Sequence, residues 1–264
     1  MEIIGYAAAV LIGISLGLIG GGGSILTVPV LVYLFGIDVF TATEYSLFIV
    51  GISSWVGSVS YFKKGLVNFK IALVFGIPSV VSIFLTRIYL LPLIPEEVIR
   101  IQNFTMTRNM FLLLIFAGLM ILASNKMIRN STSEDPLQST NEKNNVLKAA
   151  GQGSIVGVVT GLVGAGGGFM IIPALVTLLK IPVKIAIGTS LVIISFNSLI
   201  GFMSSVHHVN IEWKLLISIT AIAVAGIIIG SQLSKKIEGK KLKPVFGWFI
   251  LIMGIYILTK EIFL

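Results

Sequence analysis

Gly17-Leu18-Ile19-Gly20-Gly21-Gly22-Gly23-Ser24-Ile25-Leu26-Thr27-Val28-Pro29 occurs twice, returning as Gly161-Leu162-Val163-Gly164-Ala165-Gly166-Gly167-Gly168-Phe169-Met170-Ile171-Ile172-Pro173. The offset is a constant 144 residues and holds without a gap from Gly13/Gly157 to Lys70/Lys214. Leu31/Leu175, Ala42/Ala186, Ser46/Ser190, Leu47/Leu191, Ser54/Ser198 and Gly57/Gly201 also match within that span. Four or five small residues in a row hold a helix poorly, because each Gly costs ~1 kcal/mol relative to Ala. A duplicated helix break in apolar sequence is the pattern of a membrane transporter built from two repeats, with its site where the breaks meet.

Hydrophobic residues make up 56% of the chain and charged residues 11%, with a net charge of +8. Mean hydropathy is +1.02. A soluble protein of this length could not cover such a surface with polar groups, so the chain reads as an integral membrane protein. The excess of Lys and Arg then belongs to cytoplasmic loops and anionic headgroups, not to nucleic acid. There is no cysteine and there are two histidines, His207 and His208. Disulfides, thiolate sites and most metal or triad chemistry are thereby removed, and no cofactor or metal is expected. Glu2 and the lack of an early Lys or Arg read as a retained N-terminus, not a secretory signal.

Apolar stretches run over 3–19, 25–36, 42–62, 66–86, 104–125, 149–163, 169–179, 185–206, 215–233 and 244–264. Most have the ~20 residues that span a ~30 Å hydrocarbon core. Stretches 25–36 and 169–179 do not, since at 1.5 Å per residue they reach only ~18 Å. Residues 128–148 are polar without an apolar period and read as a linker. The expected organisation is therefore a first membrane repeat at 1–127, a linker at 128–148 and a second repeat at 149–264. Leu90–Thr107, with Pro92, Pro95, Glu96, Glu97 and Arg100, reads as a loop with one interfacial turn.

Two topologies compete: each glycine break is the tip of a re-entrant hairpin, or it interrupts one helix that crosses once. With hairpins, each half has three full crossings and the second half is inverted. Arg87, Arg100, Arg108, Lys214 and Lys260 then share one side, and the other 14 of the 19 basic residues share the opposite side. With broken helices the sides hold 9 and 10, without bias. The positive-inside rule selects the hairpins, with both termini outside and the linker cytoplasmic. Two hairpin arms that both crossed fully would give the same tally; the short second arms favour re-entry. The expected fold is an all-α polytopic protein of two inverted repeats, each a Gly-rich hairpin plus three transmembrane helices.

Backbone exposed in a bilayer must be buried in protein or face water. Inverted repeats bring the two breaks together near the midplane, where the second arm of each begins with unpaired N–H groups and a positive dipole end. Glycine lets an anion approach that backbone closely. Gly21, Gly22, Gly23, Gly166, Gly167 and Gly168 are therefore substrate-site candidates, against the alternative that they only pack helices. Gly13/Gly17 and Gly157/Gly161 read as packing glycines. Ser24, Ser46, Thr189 and Ser190 can donate hydroxyl hydrogen bonds to an oxyanion, or bond back to helix carbonyls. Asn197, at the position of Ser53, contacts ligand or serves a neighbouring helix. Glu44 reads first as an interfacial acid at a helix N-terminus, and more sharply as a carrier of a coupling proton. A Na⁺ site on hairpin carbonyls is equally open. His207 and His208 read as interfacial, and Lys235–Lys243 as a cytoplasmic cluster.

Two copies of G-L-[IV]-G-x-G-G, an apolar stretch, Pro and an A-x-x-x-S-L helix start resemble the sulfite exporter TauE/SafE family. The second copy, Gly161 through Leu191 with Ala186-Ile187-Gly188-Thr189-Ser190-Leu191, is the closer match. The resemblance implies secondary transport, by preference efflux, of small anions such as sulfite, sulfonates or related organosulfur compounds across the cell membrane. Glu44-Tyr45 stands where the second copy has Gly188-Thr189, so the half-sites differ. An anion channel of the same architecture is the alternative. An intramembrane enzyme would need paired carboxylates or a base beside a nucleophile at depth, and the sequence offers neither. The partners expected are a small anion, the bilayer and a coupling ion (H⁺ or Na⁺), with no nucleic acid; oligomeric state is open.

Overall fold

A computed structural model describes residues 2–101, 104–129, 142–163, 167–179, 181–206, 210–234 and 239–263. Gly166, His207, His208, Lys235, Lys236 and most of the expected linker lie outside them. The helices follow the apolar stretches: α1 (Glu2–Ile19), α2 (Ser24–Leu34), α3 (Val39–Phe62), α4 (Phe69–Leu85), α5 (Arg108–Arg129), α6 (Glu142–Val163), α7 (Gly168–Pro173), α8 (Val183–Ser205), α9 (Trp213–Leu233) and α10 (Gly239–Phe263). Of the described helices, α3, α4 with its extension to Leu90, α8 and α9 are long and apolar enough to cross a membrane. Large apolar side chains such as Leu11, Leu73, Ile77, Val81 and Ile217 point outward, as a lipid-facing surface requires. The protein is an all-α polytopic membrane protein, with one small addition.

That addition replaces the expected loop after α4. Glu97–Ile101 (β1) and Phe104–Thr107 (β2) form an antiparallel hairpin, with Glu97 opposite Thr107 and Ile101 opposite Phe104. Pro92 and Pro95 stop the helix, and the β-branched Val98, Ile99, Ile101, Thr105 and Thr107 then favour extended backbone. The linker also begins later and ends earlier than expected, since α5 continues to Arg129 and α6 starts at Glu142.

Local signals explain the helix ends. Asp38 caps α3 by accepting from Phe40 N at 2.9 Å, and Asn68 caps α4 by accepting from Ile71 N at 3.1 Å. Pro29 sits inside α2, while Pro173 ends the six-residue α7 and a wider π-helical turn, Ala174–Leu178, carries the chain on. A second π turn, Thr86–Leu90, extends α4.

Helix pairing is reciprocal between the two copies. Helix α1 of copy one packs along α9 of copy two: Gly13 lies on Ala223 and Gly226, and Gly17 on Ile227 and Gly230, so α1 and α9 run parallel. The counterpart pair obeys the same register, with Gly153 on Phe75, Gly157 on Ser79 and Gly161 on Ile83 and Thr86, so α6 and α4 run parallel. A methyl at Gly13 or Gly157 would overlap the facing backbone, which is why these positions hold glycine. At the centre α3 and α8 cross antiparallel: Leu47 meets Gly201, the Phe48 and Phe202 rings lie 5.1 Å apart, Gly51 meets Leu199, and Trp55 stacks edge-on to Phe196 at 5.8 Å. The copies also exchange hydrogen bonds. Asn68 N donates to Thr189 Oγ1 at 2.9 Å, and at the equivalent positions Glu212 N donates to the Tyr45 hydroxyl at 2.6 Å.

Candidate functional site

The glycine breaks meet. Gly21 and Gly168 lie backbone against backbone, so that a methyl built on either would overlap the Cα of the other. Gly20 turns the chain with φ +73° and Gly167 with φ +68°, conformations that side chains disfavour. Each break is also clamped to its own first arm: Gly23 packs on Ile12, Ser15 and Leu16, and the equivalent Gly167 packs on Thr160. Helix α8 passes beside both tips. A Cβ on Gly20 would lie 2.9 Å from Ser190 Oγ, and one on Gly168 would lie 2.7 Å from Ile194 Cδ1.

The two copies give their hydroxyls different work. Ser24 donates to Gly21 O at 2.7 Å, tying the tip to the start of α2. Ser190 donates to Ile187 O at 2.8 Å while facing Gly20. Thr189 anchors the start of α4, as described above. Ser46, the copy-one match of Ser190, is fully buried, and its hydroxyl meets no partner among the described residues. Asn197 serves a neighbouring helix: its Nδ2 donates to Ser79 Oγ of α4 at 2.7 Å. Its Oδ1 has no partner among the described residues. Gly20, Gly21, Gly168, Ser190 and Ile194 thus lie together; the hydroxyls of Ser24 and Ser190 both donate to backbone carbonyls, and Thr189 accepts from a backbone N–H.

Gly167→Val is structurally costly. Its left-handed φ and the Thr160 hydroxyl against it both oppose a side chain.

Glu44 is not exposed at the helix start. It lies in the second turn of α3, wholly buried, and forms an ion pair with Arg87 Nη1. Both side chains are 0% exposed. Arg87 is thereby not one of the loop charges that the positive-inside count assumed. The base sits in the π turn that widens the end of α4, beside Thr86, which packs on Gly161 three residues before the second break. The positions equivalent to Glu44 and Arg87 are Gly188 and Ser231, so copy two lacks both charges together. A buried acid is tolerable only with its counter-charge, which accounts for the paired presence and paired absence.

Sequence reading missed Arg87, Thr160, Ser53, Ser54 and Ser198 as members of this interior. Ser53, Ser54 and Ser198 are 0% exposed and Thr160 is 1% exposed. The usable signal was the repeat itself: Ser54/Ser198 match across copies and Ser53 aligns with Asn197.

A family model described as sulfite exporter TauE/SafE matches residues 5–257. A "Probable membrane transporter protein" of Xylella fastidiosa is 27% identical over 255 residues, covering 95% of this chain and 92% of that protein. The "Probable membrane transporter protein YunE" of Bacillus subtilis is 24% identical over 264 residues, covering 93% of each. A relative of the same description from Methanocaldococcus jannaschii is 28% identical over 265 residues, covering 94% of this chain and 92% of that protein. No solved structure matches the chain. With the family's pattern running through nearly every helix and both glycine breaks, this chain belongs to the sulfite exporter TauE/SafE family.

Proposed function

We propose that this protein is a secondary membrane transporter that exports small anions, with sulfite, sulfonates and related organosulfur compounds as the substrate class. The observation that carries the reading is the backbone contact of Gly21 with Gly168, flanked by Ser190 and by the turn that leads to Asn197. The start of α2 supplies N–H groups and a positive dipole end there, and the Ser24 and Ser190 hydroxyls become further donors on releasing Gly21 O and Ile187 O. Export follows the family's name, and an inside-negative potential pushes anions the same way.

Alternating access of two inverted repeats, 1–127 and 149–264, about this contact is the mechanism that fits best. An even number of crossings per repeat would leave the equivalent helices α3 and α8 running the same way, yet they run opposite. The eleven-residue α2 is too short to cross a bilayer and supports re-entry. Glycine-lined seams between α1 and α9, and between α6 and α4, let one copy slide on the other without side chains unlocking. In this reading both termini face outward and the linker 128–148 is cytoplasmic in the plasma membrane. Lys143 is then protected from a membrane-impermeant amine reagent in intact cells and labelled after lysis; labelling from outside rejects the orientation.

The deciding experiment is reconstitution in liposomes, with currents and pH recorded while sulfite, sulfonates, thiosulfate, sulfate and small carboxylates are presented. Saturable flux for sulfite or sulfonates is expected. Flux that never saturates identifies a channel, and silence from correctly inserted protein refutes the anion reading. A pH change that tracks sulfite flux assigns H⁺ as the coupling ion, and dependence on sodium assigns Na⁺.

A further inference from the structure

Serines in membrane helices ordinarily bond back to a carbonyl one turn earlier, and several on α3 and α8 do so. Ser58 donates to Trp55 O at 2.7 Å, Ser195 to Val192 O at 2.8 Å and Ser204 to Gly201 O at 2.7 Å. Ser53, Ser54 and Ser198 do not. Their hydroxyls are fully buried and meet no partner among the described residues, and the same is true of Asn197 Oδ1. The pairing of α3 with α8 sets their depth. The Gly51–Leu199 contact bounds them on one side and the Trp55–Phe196 ring pair on the other, so the antiparallel crossing puts them at one depth. Asn197 follows Ile194 by three residues and Ser190 by seven, and those two meet Gly168 and Gly20. It therefore shares the α8 face that the tips touch. Ser53 stands in the same relation to Ser46 on α3.

Each buried hydroxyl without a partner carries a desolvation cost that nothing in the described protein offsets. A ligand offsets it. Among the described residues the fully buried charges are Glu44 and Arg87, and these neutralise each other. A ligand at the α3–α8 crossing thus meets three hydroxyl donors and one amide acceptor, Asn197 Oδ1, without net charge. We propose that Ser53, Ser54 and Ser198, with Asn197, form a second recognition layer next to the glycine tips, in which neutral O–H and N–H groups replace the hydration shell of an oxyanion. This deepens the transport reading and rests on it. Sulfite and sulfonates offer three acceptor oxygens each, which suits several hydroxyl donors at one depth.

The test uses the full-length protein in detergent, with sulfite and methanesulfonate as probes and melting temperature as the readout. Ser53→Ala, Ser54→Ala and Ser198→Ala each raise the half-saturating anion concentration at least about tenfold, the scale of one hydrogen bond to a charged group. Without anion, their melting temperatures equal or exceed the unaltered value, because an unpartnered hydroxyl is removed and Ala favours helix. Ser58→Ala and Ser204→Ala leave the half-saturating concentration unchanged. Unaltered half-saturation in all three variants overturns the proposal. So does a lower melting temperature without anion, which marks the hydroxyls as structural. Stabilisation by sodium chloride over choline chloride that is lost in these variants overturns it in favour of a cation site. If neither anion shifts the unaltered protein, the fault lies with the anion reading itself.

Discussion

Arg87→Met destabilises the protein by about 3–5 kcal/mol, the usual cost of stripping a buried charge of its partner. Glu44 lies wholly inside the helix bundle with Arg87 as its counter-charge, so the variant leaves a buried carboxylate without it. Glu44→Leu alone is similarly damaging, since it strands the guanidinium. The double variant Glu44→Leu/Arg87→Met recovers most of the loss, because two apolar side chains of similar volume remove both desolvation costs at once. Denaturation of detergent-solubilised protein, read as a double-mutant cycle, measures the coupling directly. Additive losses would show that the pair does not act as a unit. The same double variant addresses proton coupling in liposomes. If Glu44 carries the proton, transport in the double variant loses its response to pH; an unchanged pH profile removes Glu44 from the coupling mechanism.

Gly21→Ala and Gly168→Ala each lower transport by about a hundredfold or more. The added methyl meets backbone of the opposite tip, which has no side-chain torsion through which to yield. The tips must separate, and a shift of ~1 Å at a binding centre costs on the order of 10² in rate. Overpacking adds about 1–3 kcal/mol of destabilisation. Gly36→Ala and Gly65→Ala provide the comparison. Both glycines have positive φ but face open space, so they lose about 1–2 kcal/mol to strain and keep normal transport. Normal transport by Gly21→Ala would show that the tip contact is not part of the working cycle.

How much was legible varies by residue. The duplicated motif located both helix breaks and the packing glycines, because a repeat of constant offset reports equivalent backbone jobs. The apolar stretches located the helices to within a few residues, apart from the start of α6. The hairpin Glu97–Thr107 was missed because Pro and Glu read as loop, while its β-branched residues are too few to show a period of two. The burial of Glu44 was missed for a different reason. An acid near a helix start is ordinarily interfacial, and only the position of Arg87, 43 residues away, makes its burial affordable. The backbone bonds of Thr189 and Ser24 were not legible, because the same hydroxyl can serve a ligand or a backbone group and spacing does not tell which.

The sequence by itself determined that this chain lives in a bilayer, that it is written twice, and that each copy must break a helix at a run of glycines. Those facts follow from composition and local backbone propensity, which need no knowledge of neighbours. Only the tertiary structure decided which groups face one another: Gly21 against Gly168, α1 along α9, Glu44 with Arg87, and at one depth the hydroxyls of Ser53, Ser54 and Ser198, which meet no partner among the described residues. Packing between distant segments sets those pairings, and a buried polar group is defined by what surrounds it rather than by what precedes it in the chain.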